Sequence, residues 1–256
     1  MNQEQPTRSG KQREARRFDR TSLHSNVHGY YVHRDYAAHF FRWGWVRRAL
    51  ARQRYEGGRV LDVGCGQEIP LARVFQIYPA SIPKLYCGVD LNRVKSPLAG
   101  CKWVKLYEEF DFVTERYKIL EEQGRVFTTA VCFEVIEHMG TRDGLALLQG
   151  IHELLKDNGQ LFLSTPVFDG FKAVNHIHEW TIPELAAIVG KAGFKVEKRY
   201  GTFINSRDLK KVAKPDELAV YKRISEYYGT DVTATFLAPL YPDQARNNLW
   251  VLRRVR

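Results

Sequence analysis

The sequence predicts an α/β protein: a doubly wound, mostly parallel seven-stranded sheet preceded by a helical N-terminal extension. Three observations carry that expectation. From residue 59 onward, short apolar runs alternate with stretches of helical periodicity. The first run, 59–63, ends in the glycine turn Asp62-Val63-Gly64-Cys65-Gly66, and Pro70 with Leu71, Val74 and Phe75 then opens a helix. Gly64 and Gly66 permit a tight turn and close approach of a ligand to the backbone, and a strand–turn–helix unit of this kind cradles cofactors in open α/β sheets.

The remaining elements follow in order. Residues 1 to about 25 are polar and basic, with few apolar positions, and read as a flexible tail. Residues 26–58 interleave Tyr30, Tyr31, Tyr36, Phe40, Phe41, Trp43 and Trp45 with Arg34, Arg42, Arg47 and Arg48, which predicts a helix over 34–54. Its rings either pack on the sheet or, with the arginines, stack bases and hold phosphates. Strands are expected at 59–63, 85–90, 102–106, 126–133, 160–164, 194–200 and 248–253. Helices are expected at 70–78, 113–122, 142–156 (closed by Gly159), 182–193 and 215–228. Residues 59–256 form the main domain, and 205–246 within it reads as an insertion or lid over the cleft, or as a surface loop.

Composition limits the function classes. The 256 residues are 44% hydrophobic, enough for a packed core. No run approaches the roughly 20 apolar residues of a membrane span, and no apolar signal-peptide core opens the chain. Cys65, Cys87, Cys101 and Cys132 lack C-x-x-C spacing, which fits a reduced, cytoplasmic protein. The net charge is +10; residues 1–59 hold 13 Lys+Arg against 5 Asp+Glu, so +8 of it is N-terminal. That asymmetry points to a polyanionic partner such as nucleic acid, or to a solubilising basic tail.

Several positions carry chemistry. Asp90 ends the second strand, where an acid accepts hydrogen bonds from ribose hydroxyls, with Leu91 and Asn92 beside it; a turn or cap Asp is the alternative. Asp111 and Phe112 follow the third strand and offer an acid for an exocyclic amine and a ring for an adenine face, or else a turn acid beside a core Phe. Glu134, Glu137 and His138 close the fourth strand. On one helical turn all three side chains would share a side, a donor set suited to a divalent metal such as Mg or Mn. His176, in Asn175-His176-Ile177-His178-Glu179-Trp180, is the candidate fourth ligand.

The successive segments VLDVGCG, GVDLN, VFTTAVCFEVIEHM and GQLFLSTP, over about residues 59–200, resemble the motifs of class I S-adenosylmethionine-dependent methyltransferases, which have a Rossmann-like fold. The resemblance implies that Asp62, Gly64, Cys65 and Gly66 line the methionine end of the cofactor, Asp90, Leu91 and Asn92 its ribose, and Asp111 and Phe112 its adenine, with Glu134 also in contact. The chain departs from the family at Glu68, where a third glycine is frequent. The E-x-x-E-H cluster, the STP and a His before Glu-Trp-Thr are similar to the metal-dependent 2′-O-methyltransferases of small-RNA 3′ ends. That likeness implies metal ligation by Glu134, Glu137, His138 and His176. Similar segments occur in ubiquinone-type O-methyltransferases, which implies that Glu134 only touches the cofactor and that His138 is a general base or a satisfied structural imidazole; His138 and Glu137 are the catalytic candidates.

No Asp/Asn-Pro-Pro-aromatic segment follows the fourth strand, which argues against amino-group methylation of bases. No Pro-Cys pair stands there either, which argues against a cysteine-nucleophile mechanism. The expectation is therefore O-methylation of a nucleic acid or nucleotide. The alternatives are a small-molecule acceptor, or a nucleic-acid-binding protein that keeps the fold without catalysis.

Overall fold

A computed structural model describes residues 34–52 and 58–255 of the chain. The expected flexible tail at 1–25 lies outside the described residues. The first described element is helix α1 (Arg34–Arg52). The strands are β1 (Arg59–Val63), β2 (Leu85–Val89), β3 (Val104–Tyr107), β4 (Phe127–Phe133), β5 (Leu155–Pro166), β6 (Phe194–Phe203) and β7 (Asn247–Arg254). Helices α2 (Pro70–Ile77), α3 (Phe112–Gln123), α4 (Thr141–Leu154) and α5 (Ile182–Lys191) join the first six strands. Helices α6 (Ser206–Val212), α7 (Pro215–Tyr228) and α8 (Thr230–Leu237) fill the connection to β7.

The seven strands form one sheet in the order β3-β2-β1-β4-β5-β7-β6. The pairs from β3 to β5 are parallel, and β7 runs antiparallel to both of its neighbours. The order reverses at β1, whose neighbours β2 and β4 carry the chain in opposite directions across the sheet, and ligands bind outside the carboxyl ends of strands at such a point.

Strand alternation sorts the core into two faces. Val60, Tyr86, Val131, Phe162, Leu249 and Val251 share one face with Val46 and Leu50 of α1 and Phe75 of α2. Leu61, Cys87, Cys132, Leu161, Leu163 and Trp250 share the other with Ile119 of α3 and Ile151 of α4. The aromatic stretch of α1 is packed: Trp45 and Tyr200 ring centroids lie 4.6 Å apart, and Phe41 lies 6.1 Å from Tyr200. Phe40 is the outward ring, 71% exposed.

The largest boundary difference lies at the start of β5. Helix α4 stops at Leu154, and β5 starts at once; Gly159, expected as the helix stop, lies within β5 beside Asn158, whose φ is +59°. The residues between Leu155 and Gln160 make a register irregularity against β4. The 205–246 segment, with the preceding Ile204, builds a small core from Leu209, Tyr221, Ala234 and Ala238, and α8 packs against α1. Among the described residues, no helix is long and apolar enough to cross a membrane.

Candidate functional site

The glycine turn forms as the residues require. Gly64 and Gly66 have φ of +74° and +73°, the left-handed region that glycine enters without steric cost. A Cβ on Gly64 would stand 2.2 Å from Val135 Cγ2, so the turn after β1 and the loop after β4 are in van der Waals contact only because Gly64 has no side chain. The turn is fixed to the end of β2: the Gly64 and Cys65 amides donate to the Val89 carbonyl at 2.8 and 3.1 Å, and the Gly66 amide donates to Asp90 Oδ2 at 2.8 Å. Asp90 Oδ1 accepts from the Asn92 amide and side chain at 2.8 and 3.1 Å. Leu91 beside it is 68% exposed.

Asp62, on the α1 face, is 5% exposed and accepts a 2.6 Å hydrogen bond from the buried Tyr86 hydroxyl. Burial raises its carboxyl from 3.8 to about 7, with the Asp90 charge adding and the Tyr86 hydroxyl opposing. Glu68 does not disturb the turn: it points along the flank of α2 and pairs with Arg73. The residue that replaces glycine conformationally is Ile69, buried, with φ +41° and ψ +60° at the N-cap of α2.

Phe112, but not Asp111, is placed otherwise than the adenine expectation required. Asp111 is the N-cap of α3, its Oδ1 accepting from the Val113 amide at 3.0 Å. Phe112 is 5% exposed, and its ring faces Gly150 on α4, in the core between the two helices. The ring is removed from the cleft because it follows the capping residue and turns with the first helical turn onto the buried face.

The two glutamates after β4 separate. The expectation that Glu134, Glu137 and His138 share one helical turn fails because Glu134 precedes the turn. Its own φ is +58°, and only Ile136–His138 form the 3₁₀ helix. Consecutive hydroxyls of β5 then hold the carboxylates on opposite faces of the sheet. Ser164 Oγ donates to Glu134 Oε1 at 2.7 Å, and Thr165 Oγ1 donates to Glu137 Oε2 at 3.1 Å.

On the α1 face, Arg42 Nη1 donates to Glu134 Oε1 at 2.8 Å, and Asn247 Nδ2 donates to Glu134 Oε2 at 2.8 Å. Burial pushes the Glu134 carboxyl up, but Arg42, Ser164, His39 and Asn247 outweigh it, and the net shift is downward. Glu134 is thereby committed to Arg42 and leaves the candidate ligand set.

On the other face, Glu137, His138 and His176 converge, with one potential ligand atom from each within 4.8 Å of the others. The two imidazole centroids lie 5.0 Å apart. His138 Nδ1 bonds the Asn175 carbonyl at 3.0 Å, and His176 Nδ1 bonds Glu179 Oε1 at 2.7 Å. With Nδ1 occupied, each ring presents Nε2. Glu179 is 3% exposed and also accepts from the Ala173 amide at 2.9 Å. Glu137 is 1% exposed, and burial with the Glu134 charge raises its carboxyl well above the usual range.

The methyltransferase domain family matches residues 31–213. The chain belongs to the class I S-adenosylmethionine-dependent methyltransferases. This methyltransferase is 27% identical over 195 residues to a ubiquinone biosynthesis O-methyltransferase of Pseudomonas syringae pv. tomato, covering 74% of this chain and 72% of the relative. A protein of the same name from Chelativorans sp. is 29% identical over 138 residues, covering 53% of this chain; the match spans about half of that relative, 49%. Among solved structures, magnesium protoporphyrin IX methyltransferase from Synechocystis PCC 6803 superposes with a TM-score of 0.54 at 15% identity, covering 96% of each chain. The [4+2]-cyclase SpnF superposes with a TM-score of 0.52 at 19% identity, covering 82% of this chain and 80% of the other. The same sheet thus hosts a protein named for a different reaction, and the acceptor must be argued from the site.

Sequence reasoning missed Ser164, Thr165, Asn247 and the role of Glu179, and placed Arg42 only among possible phosphate contacts. The STP segment was a signal for the two hydroxyls. Asn247 gave none, since it reaches the site only because β7 inserts beside β5.

Proposed function

We propose that this methyltransferase transfers the methyl group of S-adenosylmethionine to a hydroxyl of a small molecule, with the methyl donor against the β1 and β2 ends and the acceptor hydroxyl at the Glu137–His138–His176 cluster. The observation that carries the reading is that cluster: two imidazoles with Nε2 free and one buried carboxyl group, with Glu137 and His138 two and three residues beyond Val135, which touches the glycine turn. Asp90 and Asn92 take the ribose hydroxyls, Leu91 covers the adenine edge, and Asp62 faces the methionine end. Asp111 and Phe112 support the loop through α3 and carry no contact in this reading.

His176 is the better proton acceptor of the two histidines. Its Nδ1 is fixed by the buried Glu179, which orients the ring and stabilises the imidazolium that forms when Nε2 takes the hydroxyl proton. The oxygen then attacks the sulfonium methyl in line, a displacement governed by positioning.

The three donors also fit a divalent cation. The His138 and His176 imidazoles, with Nδ1 held by acceptors, and the Glu137 carboxyl, ionised on binding, would hold it, the supporting bonds being those that orient ligand histidines elsewhere. A bound Mg or Mn would lower the pKa of the acceptor hydroxyl.

Relatives named for ubiquinone biosynthesis O-methylation favour the small-molecule acceptor over nucleic acid. Residues 1–33, outside the described structure, hold 6 Lys+Arg against 3 Asp+Glu, +3 of the N-terminal +8. Labelled-methyl transfer to catechols, phenols, nucleotides and RNA oligomers tests the assignment, with and without chelator. A methyl ether on a phenolic hydroxyl is expected; transfer confined to RNA overturns it.

A further inference from the structure

We infer that Arg42 is a positioning residue for methyl transfer, holding the 134–138 loop in its working conformation by locking Glu134 to helix α1. The inference rests on the methyl-transfer reading of the site and adds a residue that does not touch the acceptor cluster.

Arg42 is 3% exposed, unusual for a guanidinium. Its Nη1 donates to Glu134 Oε1 at 2.8 Å, Ser164 Oγ at 3.2 Å and Asn247 Oδ1 at 3.2 Å, while Nη2 reaches His39 Nδ1 at 2.8 Å. One side chain thus joins α1 to the ends of β4, β5 and β7, across sequence separations of 92, 122 and 205 residues. Asn247 is itself fixed by the Thr202 hydroxyl at 2.6 Å, which carries the network to β6.

Glu134 needs such a hold. It is a non-glycine residue at φ +58°, a conformation that persists only when its surroundings over-determine it. Both its oxygens are engaged, Oε1 by Arg42 and Ser164 and Oε2 by Asn247. The next residue, Val135, packs on Gly64, and the 3₁₀ turn Ile136–His138 follows directly. If Glu134 relaxes toward an ordinary backbone conformation, Val135 leaves the glycine turn, and Glu137 and His138 rotate away from His176. Arg42 therefore acts on the reacting oxygen through three intervening residues. A lysine can reach one of the acceptors but cannot reproduce the planar fork.

The test compares Arg42→Met, Arg42→Lys, Glu134→Gln and the double variant Arg42→Met/Glu134→Gln. Arg42→Met is expected to lower kcat at least 50-fold, with acceptor KM and S-adenosylhomocysteine affinity each within about fivefold of wild type. Amide exchange of residues 134–139 is expected to accelerate at least tenfold. Arg42→Lys falls between. The double variant recovers part of the kcat lost in Arg42→Met, because the carboxylate stranded without its partner is gone.

A kcat loss under threefold in Arg42→Met overturns the inference. So does a loss carried wholly by S-adenosylhomocysteine affinity, which makes Arg42 a cofactor contact, and so does unchanged exchange at 134–139. If Arg42→Met does not fold, Arg42→Lys is read on the same measures. The exchange measurement needs no turnover. An accelerated loop in a protein that methylates no acceptor in the panel refutes the proposed function and, with it, the role in methyl transfer, while showing that Arg42 holds the loop.

Discussion

Asp62→Asn separates the cost of the site from its use. Asp62 is buried at the end of β1, and its carboxyl sits at about 7 against 3.8 for an ordinary aspartate. Between those values the folded protein holds a proton that the unfolded chain has released. Stability therefore falls as pH rises from about 4 to about 7 and stays at the lower level above. The gap from 3.8 to about 7 corresponds to at most about 4 kcal/mol. The opposing effect of the Tyr86 hydroxyl is already within that shift, and the same hydroxyl can donate to an asparagine oxygen. Asp62→Asn is expected to be more stable than wild type at pH 8 by about 1–3 kcal/mol and equal to it near pH 4. On the proposed placement of the methyl donor's ammonium beside Asp62, binding favours the ionised carboxylate, and wild-type affinity for S-adenosylmethionine should rise about tenfold from pH 6 to pH 8. The variant should bind weakly at both. Urea unfolding across pH 4–8 and calorimetric titration at pH 6 and 8 measure the two effects. A variant with the wild-type slope of stability, or with undiminished affinity at pH 8, refutes the reasoning.

Other outcomes follow from the same geometry. Gly64→Ala places a Cβ on Val135 at positive φ; cofactor binding should be lost, and thermal unfolding should show destabilisation of about 2 kcal/mol or more. Glu179→Gln leaves the His176 contact sterically intact but removes its charge, and kcat should fall about 10–100-fold with unchanged S-adenosylhomocysteine affinity in calorimetry. If the cluster works with a cation, EDTA should abolish turnover and added Mg or Mn should restore it, with His176→Ala unrescued; full activity in EDTA removes the cation from the site. Phe75→Ala, at a position with no solvent exposure on α2, should cost about 3–5 kcal/mol in urea unfolding.

Much of the fold was legible because it is written in local signals. β1, β2 and β4 are apolar runs ending at glycine or acid, and α5 opens with Thr181 and Glu184 in a reciprocal capping box. The start of β5 was not legible, since Lys156-Asp157-Asn158-Gly159 reads as a helix stop and turn, while pairing with β4 extends strand geometry through it. At the site, residues borne on the glycine turn and on β2 could be placed because a strand end fixes where a side chain goes. Glu134 and Phe112 could not. The first sits one residue outside a helical turn, and the second just inside one, and each boundary redirects a side chain by a full face. Arg42 and Asn247 depended on long-range packing that no spacing reveals.

The alternation at Ser164 and Thr165 makes the chemistry of this protein hostage to the register of β5. A slip of one residue would exchange the two hydroxyls, offering Ser164 to Glu137 and Thr165 to Glu134, and would turn the Leu161 and Leu163 row toward α1. The antiparallel pairs Ser164↔Leu249 and Thr165↔Asn248 pin that register from the far side. The irregular turn at 156–159 lies upstream of the pin. Additions there enlarge the existing irregularity, whereas a single residue added between 160 and 165 would invert the polarity of the whole cleft.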